Sequence, residues 1–279
     1  MQTFLDKVRT EKLEEIAQQK SRLSEKELWH QVRDLPSAIP FSQSICRSVN
    51  QPLSIIAEVK AKAPNRENVK ILDPEAIVRD YEKAGVRAIS VLTDQKYFGG
   101  SLEILSAVHR LVKLPLLHKE FIVSPYQLLQ GRLCGASAAL ILVHYFGEAE
   151  LKEMIEKAKQ TGMEAVVECS LPQELPRALQ ANPDILLINN RPIAAIPADP
   201  TQTYHQGSID VSVQWWNTEK ELQAWKQQDG KILISASCID KSADVQKIEP
   251  LPYDAVLIGN AVMTASDRIE FLKSLMTLP

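Results

Sequence analysis

The sequence predicts an α/β protein folded as a single (β/α)8 TIM barrel, preceded by an N-terminal helical extension. Three observations carry this expectation. Short apolar runs recur from residue 53 onward, amphipathic stretches separate them, and polar side chains collect where the runs end. Near-continuous apolar strands imply burial on both faces, hence a parallel sheet covered by helices. Eight such β–α repeats within 279 residues suit a closed barrel, which takes about 250 residues. An open doubly wound sheet is the alternative. No G-x-G-x-x-G follows the first run, which argues against a dinucleotide fold.

Residues 1–52 read as the extension and 53–279 as the barrel, together one domain. In the extension Phe4, Leu5, Val8, Leu13 and Ile16 lie among charges at helical spacing. A second short helix contains Leu28, Trp29 and Val32, and Pro36 ends it. Its apolar face needs cover, which predicts that the extension lies across the barrel's rim or flank. The strand runs are 53–59, 88–92, 114–118, 138–143, 164–168, 184–189, 231–236 and 254–259. The intervening stretches begin at Pro74, Ser101, Pro125, Glu148, Leu171, Asn217, Lys241 and Ser266, and several stop at Gly or Asn-Pro. The connection from Asn189 to Asn217 is unusually long, and long loops in compact domains are functional or mobile. Its Trp215–Trp216 pair has two readings: the anchor of a lid, or simple packing of a helix start against the barrel.

Composition narrows the function. A formal net charge of −3 gives no polycation character, so nucleic acid is not an expected partner. No apolar run approaches the about 20 residues that span a bilayer, and the charged N-terminus is no signal peptide. Cys46, Cys134, Cys169 and Cys238 are far apart and form no C-x-x-C pair. They read as free, mostly buried thiols of a cytoplasmic protein. Protein partners and oligomeric state are not legible.

In barrels of this class the C-terminal strand ends carry the chemistry. The first run ends with Glu58 and Lys60, which share a face because they are two apart. Lys119 closes the third, Glu168 the fifth, Asn189 and Arg191 the sixth. Ser237 closes the seventh, and Gly259 and Asn260 the eighth. Two carboxylates, two lysines, an arginine and an amide converging on one mouth suit acid–base chemistry. The ends of strands seven and eight suit a phosphate. The residues alone thus point to an enzyme acting on a phosphorylated small molecule.

The motifs resemble those of the indole-3-glycerol phosphate synthases. IIAEVKAKAP is similar to the family's I-A-E-x-K-x-x-S-P, and SVLTDQKYFGGSL to its S-V-L-T-(E/D)-x-x-x-F-x-G-S-L. LLHKEFIVSPYQ resembles L-x-K-D-F-I-x-D-x-Y-Q, and VVECSLPQELPRAL resembles V-E-V-H-x-x-x-E-L-x-x-A-L. LLINNRPI, ILISASCI and AVLIGNAVM are similar to I-G-I-N-N-R-(N/D)-L, V-S-E-S-G-I and A-V-L-I-G-x-x-(L/M). Order and spacing agree over about residues 3–275, except in the long connection. The resemblance implies a decarboxylating, dehydrating ring closure in tryptophan biosynthesis that needs no cofactor. It makes Lys119 the general acid, Lys60 a phosphate or carboxylate contact that also assists dehydration, and Glu58 and Glu168 bases or electrostatic stabilisers. Asn189 and Arg191 then hold the ribulose hydroxyls and the aryl carboxylate, and Ser237, Gly259 and Asn260 line the phosphate site.

Several positions depart from the family pattern. Ala63 and Asn65 stand in the segment after strand one where the family has S-P-S-x-G. Ala236 and Cys238 stand where it has the Glu and Gly of E-S-G, and Glu120 replaces the Asp of L-x-K-D-F. Two further readings therefore stay open beside the ordinary synthase. One is a paralogue with an altered arylamine-sugar phosphate substrate. The other is a non-catalytic barrel that binds a phosphorylated ligand or a partner protein.

Overall fold

The computed structural model describes residues 3–48, 51–61, 73–198 and 206–276. Strands β1 (Ser54–Val59), β2 (Ala88–Leu92), β3 (Leu116–Lys119) and β4 (Ala138–Leu142) are followed by β5 (Glu164–Cys169), β6 (Ile185–Asn189), β7 (Ile232–Ala236) and β8 (Ala255–Ile258). They pair in parallel in chain order, and β8 returns to pair with β1 through Ile56↔Leu257 and Ala57↔Ile258. The barrel is closed, which removes the open-sheet alternative and leaves no sheet edge exposed.

Helices precede β1 and follow each strand: α1 (Phe4–Arg22), α2 (Glu25–Val32), α3 (Phe41–Ile45), α4 (Pro74–Ala84), α5 (Gln95–Phe98), α6 (Leu102–Leu111) and α7 (Pro125–Leu133). The others are α8 (Glu148–Gln160), α9 (Leu175–Ala181), α10 (Asp210–Thr218), α11 (Lys220–Lys226), α12 (Ser242–Ile248), α13 (Asn260–Thr264) and α14 (Arg268–Met276). Their boundaries follow local chemistry. Asp73 caps α4 by accepting from Ala76 N–H at 3.1 Å, Pro74 opens it, and Gly85 closes it at φ 88°. Ser124 and Gln127 form the capping box that starts α7.

The extension does more than cover a flank. Helix α1 lies across the C-terminal rim. Phe4 N–H donates to Ile196 O at 2.8 Å beyond β6, and His144 beyond β4 sits 3.3 Å from Asp6. Lys12 reaches Asp94 beyond β2 at 2.9 Å and Glu120 beyond β3 at 3.2 Å. Leu5 and Val8 enter the main core, while Ile16 joins Leu28, Val32, Tyr126 and Leu129 in a smaller cluster between α1, α2 and α7. Leu13 does not belong to this buried face. It is 47% exposed, and Lys12 takes the inward position at 6%, because the carboxylates below offer an ammonium a partner and a leucine nothing.

The long connection after β6 is also partly helical. Residues 210–218 form α10, and Trp215 is buried in the main core at 4% exposure, with Trp216 packed against it. The tryptophans therefore pack a helix against the barrel, the second of the two readings. All four cysteines are free, as expected, but only Cys169 is buried; Cys46 is exposed and Cys134 and Cys238 are half-buried. Among the described residues no helix is long and apolar enough to cross a membrane.

Candidate active site

A cavity of about 350 Å³ opens at the C-terminal end of the barrel. Glu58, Lys60, Lys119, Glu168, Asn189, Arg191, Ser237, Gly259 and Asn260 all line it. Strand alternation explains the convergence: Glu58 and Lys60 point inward together, and Lys119 points inward while its neighbour His118 points outward under α7. Leu92, Leu140, Leu142 and Leu257 form apolar wall, and Phe98 of α5 joins Phe121 and Ile193 from the connections after β3 and β6. Ala63 and Asn65 lie outside the described residues.

Two ion pairs organise the polar side. Lys60 Nζ is 2.9 Å from Glu58 Oε1, and Lys119 Nζ is 3.7 Å from Glu168 Oε2. Both carboxylates are buried. Burial alone would push the Glu58 carboxyl up, but Lys60, Lys119 and Arg191 outweigh it, and the group is held below the usual carboxylate range. Asn189 Nδ2 donates to Glu168 Oε1 at 2.9 Å, while Arg191 N–H donates to Asn189 Oδ1 at 3.0 Å. The result is a chain of contacts from the end of β6 through Glu168 to Lys119. Among the described residues no group of three or more His, Cys, Asp or Glu is placed to hold a metal ion.

Gly259 earns its place by absence of a side chain. A Cβ there would lie 2.1 Å from Glu58 Oε1 and 2.9 Å from Lys60 Nζ. Beside it, just beyond the neighbouring strand β7, Ser237 and Cys238 take φ values of 68° and 57°, the left-handed region that non-glycine residues seldom occupy. Cys238 thus keeps a glycine-like backbone without being glycine.

Several contributors were not among the site residues expected from the sequence. Asp94 and Glu120 line the cavity beside Lys119 and are bridged by Lys12 from α1. Burial raises the Glu120 carboxyl; Lys12 opposes that, Asp94 adds to it, and the net shift is upward. Thr93 Oγ1 donates to Glu120 Oε2 at 2.8 Å and sits 3.0 Å from His118 Nε2. Because the hydroxyl proton is committed to Glu120, His118 must donate from Nε2, which fixes its tautomer.

Comparison with known proteins points to one family. A family model described as indole-3-glycerol phosphate synthase matches residues 5–275. A protein of that name from Carboxydothermus hydrogenoformans is 33% identical over 278 residues, 98% of this chain and 99% of its own length. The similarly named protein of Aquifex aeolicus is 38% identical over 223 residues, 80% of each chain. That of Chlorobium chlorochromatii is 32% identical over 266 residues, 95% of this chain and 97% of its own.

Proposed function

The chain belongs to the indole-3-glycerol phosphate synthase family, and from that premise we propose that its cavity converts 1-(2-carboxyphenylamino)-1-deoxyribulose 5-phosphate into indole-3-glycerol phosphate, CO2 and water. The observation that carries this reading is the meeting of two Glu–Lys pairs, Glu58–Lys60 and Glu168–Lys119, in one cavity with Arg191.

The chemistry follows from charge. The aryl carbon that bears the carboxylate is a weak nucleophile, and it attacks the ketose carbonyl carbon only as that oxygen takes a proton. Lys119 supplies this proton, held in place by Glu168, which Asn189 fixes in turn. Attack leaves positive charge on the aryl nitrogen, which a buried, ionised Glu58 stabilises. Loss of CO2 returns its bonding pair to the ring. The new hydroxyl then leaves as water with a proton from Lys60, while a carboxylate accepts the proton released as the pyrrole ring forms. Asn189 and Arg191 hold the hydroxyls and the aryl carboxylate, and Ser237, Gly259 and Asn260 take the phosphate.

In this reading residues 1–52 are the helical extension of one barrel domain spanning 53–279, working in the cytoplasm on a phosphorylated small molecule, with no nucleic-acid or membrane partner. The test is direct. Purified protein mixed with the substrate should develop indole fluorescence with one CO2 released per indole. Tight binding of the substrate with no product would reject the reading. Ala236 and Cys238 would then favour a retuned or non-catalytic barrel.

A further inference from the structure

Asn190 follows the candidate binding residue Asn189, points the other way, and is fully buried. Its side-chain nitrogen donates to Ser235 Oγ at 3.0 Å, to Ala236 O at 2.9 Å and to Ser237 O at 3.0 Å. Its side-chain oxygen accepts from Ser212 N–H at 2.9 Å. Ser212 Oγ lies 2.8 Å from Ser235 Oγ, and Tyr253 OH donates to Ser212 O at 3.0 Å. Backbone contacts add to the stitch: Asn190 N–H donates to Ala236 O at 2.8 Å, and Ser208 N–H donates to Asn190 O at 3.2 Å. One amide therefore joins the end of β6, the end of β7 and α10. Every polar atom of that amide has a partner, as a buried network requires.

The turn it grips is the conformationally costly one. Ser237 and Cys238 sit consecutively in the left-handed region, at φ 68° and 57°, which L side chains adopt only when something holds them. Both line the cavity. We infer that Asn190 is a positioning residue whose side-chain hydrogen bonds hold the Ser237–Cys238 turn in the shape that receives the substrate's phosphate. The inference rests on the reading of that turn as phosphate wall. It assigns Asn190 no contact with the reacting atoms.

The test uses Asn190→Asp, which keeps the shape and removes both N–H donors. Three readouts are taken in the full-length protein: peptide-resolved alkylation of Cys238 by iodoacetamide, KM and kcat for the substrate, and competition by inorganic phosphate. Released from its tether, Cys238 should alkylate at least about tenfold faster, as a locally opened segment does. KM should rise about tenfold or more with kcat within about threefold, and phosphate competition should weaken in step with KM. Adding Cys238→Gly should recover about two- to fivefold of the KM, because glycine takes positive φ without the tether. Wild-type alkylation together with wild-type KM in a folded variant overturns the inference, as does a loss of kcat with KM unmoved. Faster alkylation with phosphate competition equally strong in both proteins keeps the tether and rejects the phosphate reading. Should Asn190→Asp fail to fold, Asn190→Ser, which buries no charge, carries the same expectations.

Discussion

Gly259 and Glu58 approach so closely that a Cβ on residue 259 would stand 2.1 Å from Glu58 Oε1. The strand that closes the barrel thus makes room for an ion pair on the strand that opens it.

Gly259→Ala should therefore displace the Glu58–Lys60 pair without touching the core beneath. A shift of about 1 Å in a reacting group costs up to about 10²-fold, and kcat/KM should fall by about 10- to 100-fold while the melting temperature changes little. Steady-state kinetics beside a melting curve check this. Unchanged kinetics would show that the carboxylate's position tolerates the methyl group.

Lys12→Met should strip the only ammonium placed against Asp94 and Glu120 among the described residues. Breaking a buried pair costs about 3–5 kcal/mol at neutral pH. Removing the cation raises the Glu120 carboxyl further than burial already does. A carboxyl whose folded pKa lies above its unfolded value is penalised while ionised, so the loss should shrink as pH falls and Glu120 takes a proton. Urea unfolding at pH 7 and pH 5 reads both effects; an equal loss at the two values would contradict the account.

His118 gives the fold an acid limb. Burial first, and Lys12 second, lower its pKa to about 3, whereas an unfolded histidine protonates near 6.5. Between these values the unfolded chain binds a proton that the folded chain refuses, so stability falls as pH drops through that window, by about 1.4 kcal/mol per unit. His118→Gln should flatten the stability curve between pH 6 and 4. An unaltered slope would assign the acid limb elsewhere.

The strands were legible because burial on both faces leaves little room for anything but apolar residues, and seven of the eight runs both start and end within a residue of the observed strands, the third being displaced toward Lys119. The site residues were legible because polar groups at strand ends interrupt that pattern. What escaped lacked such contrast. Lys12 is one charge in a charged helix, and only the carboxylates of two distant loops turn it inward. Asn190 is the second of two asparagines, and its side chain meets mostly backbone atoms, Ala236 O, Ser237 O and Ser212 N–H. Helix α10 reads as loop because it follows Gly207 and Ser208 and carries Val211 and Val213, which lower helix propensity.

The assignment of Lys119 as the proton donor is tested most directly by the turnover of Lys119→Ala, measured by indole fluorescence beside a melting curve and a binding titration with substrate. Loss of a general acid predicts that turnover falls by at least about 10²-fold, with the fold intact and substrate still bound. A folded variant that turns over at a near-normal rate would contradict the account, because the proton would then have to reach the ketose oxygen from another group.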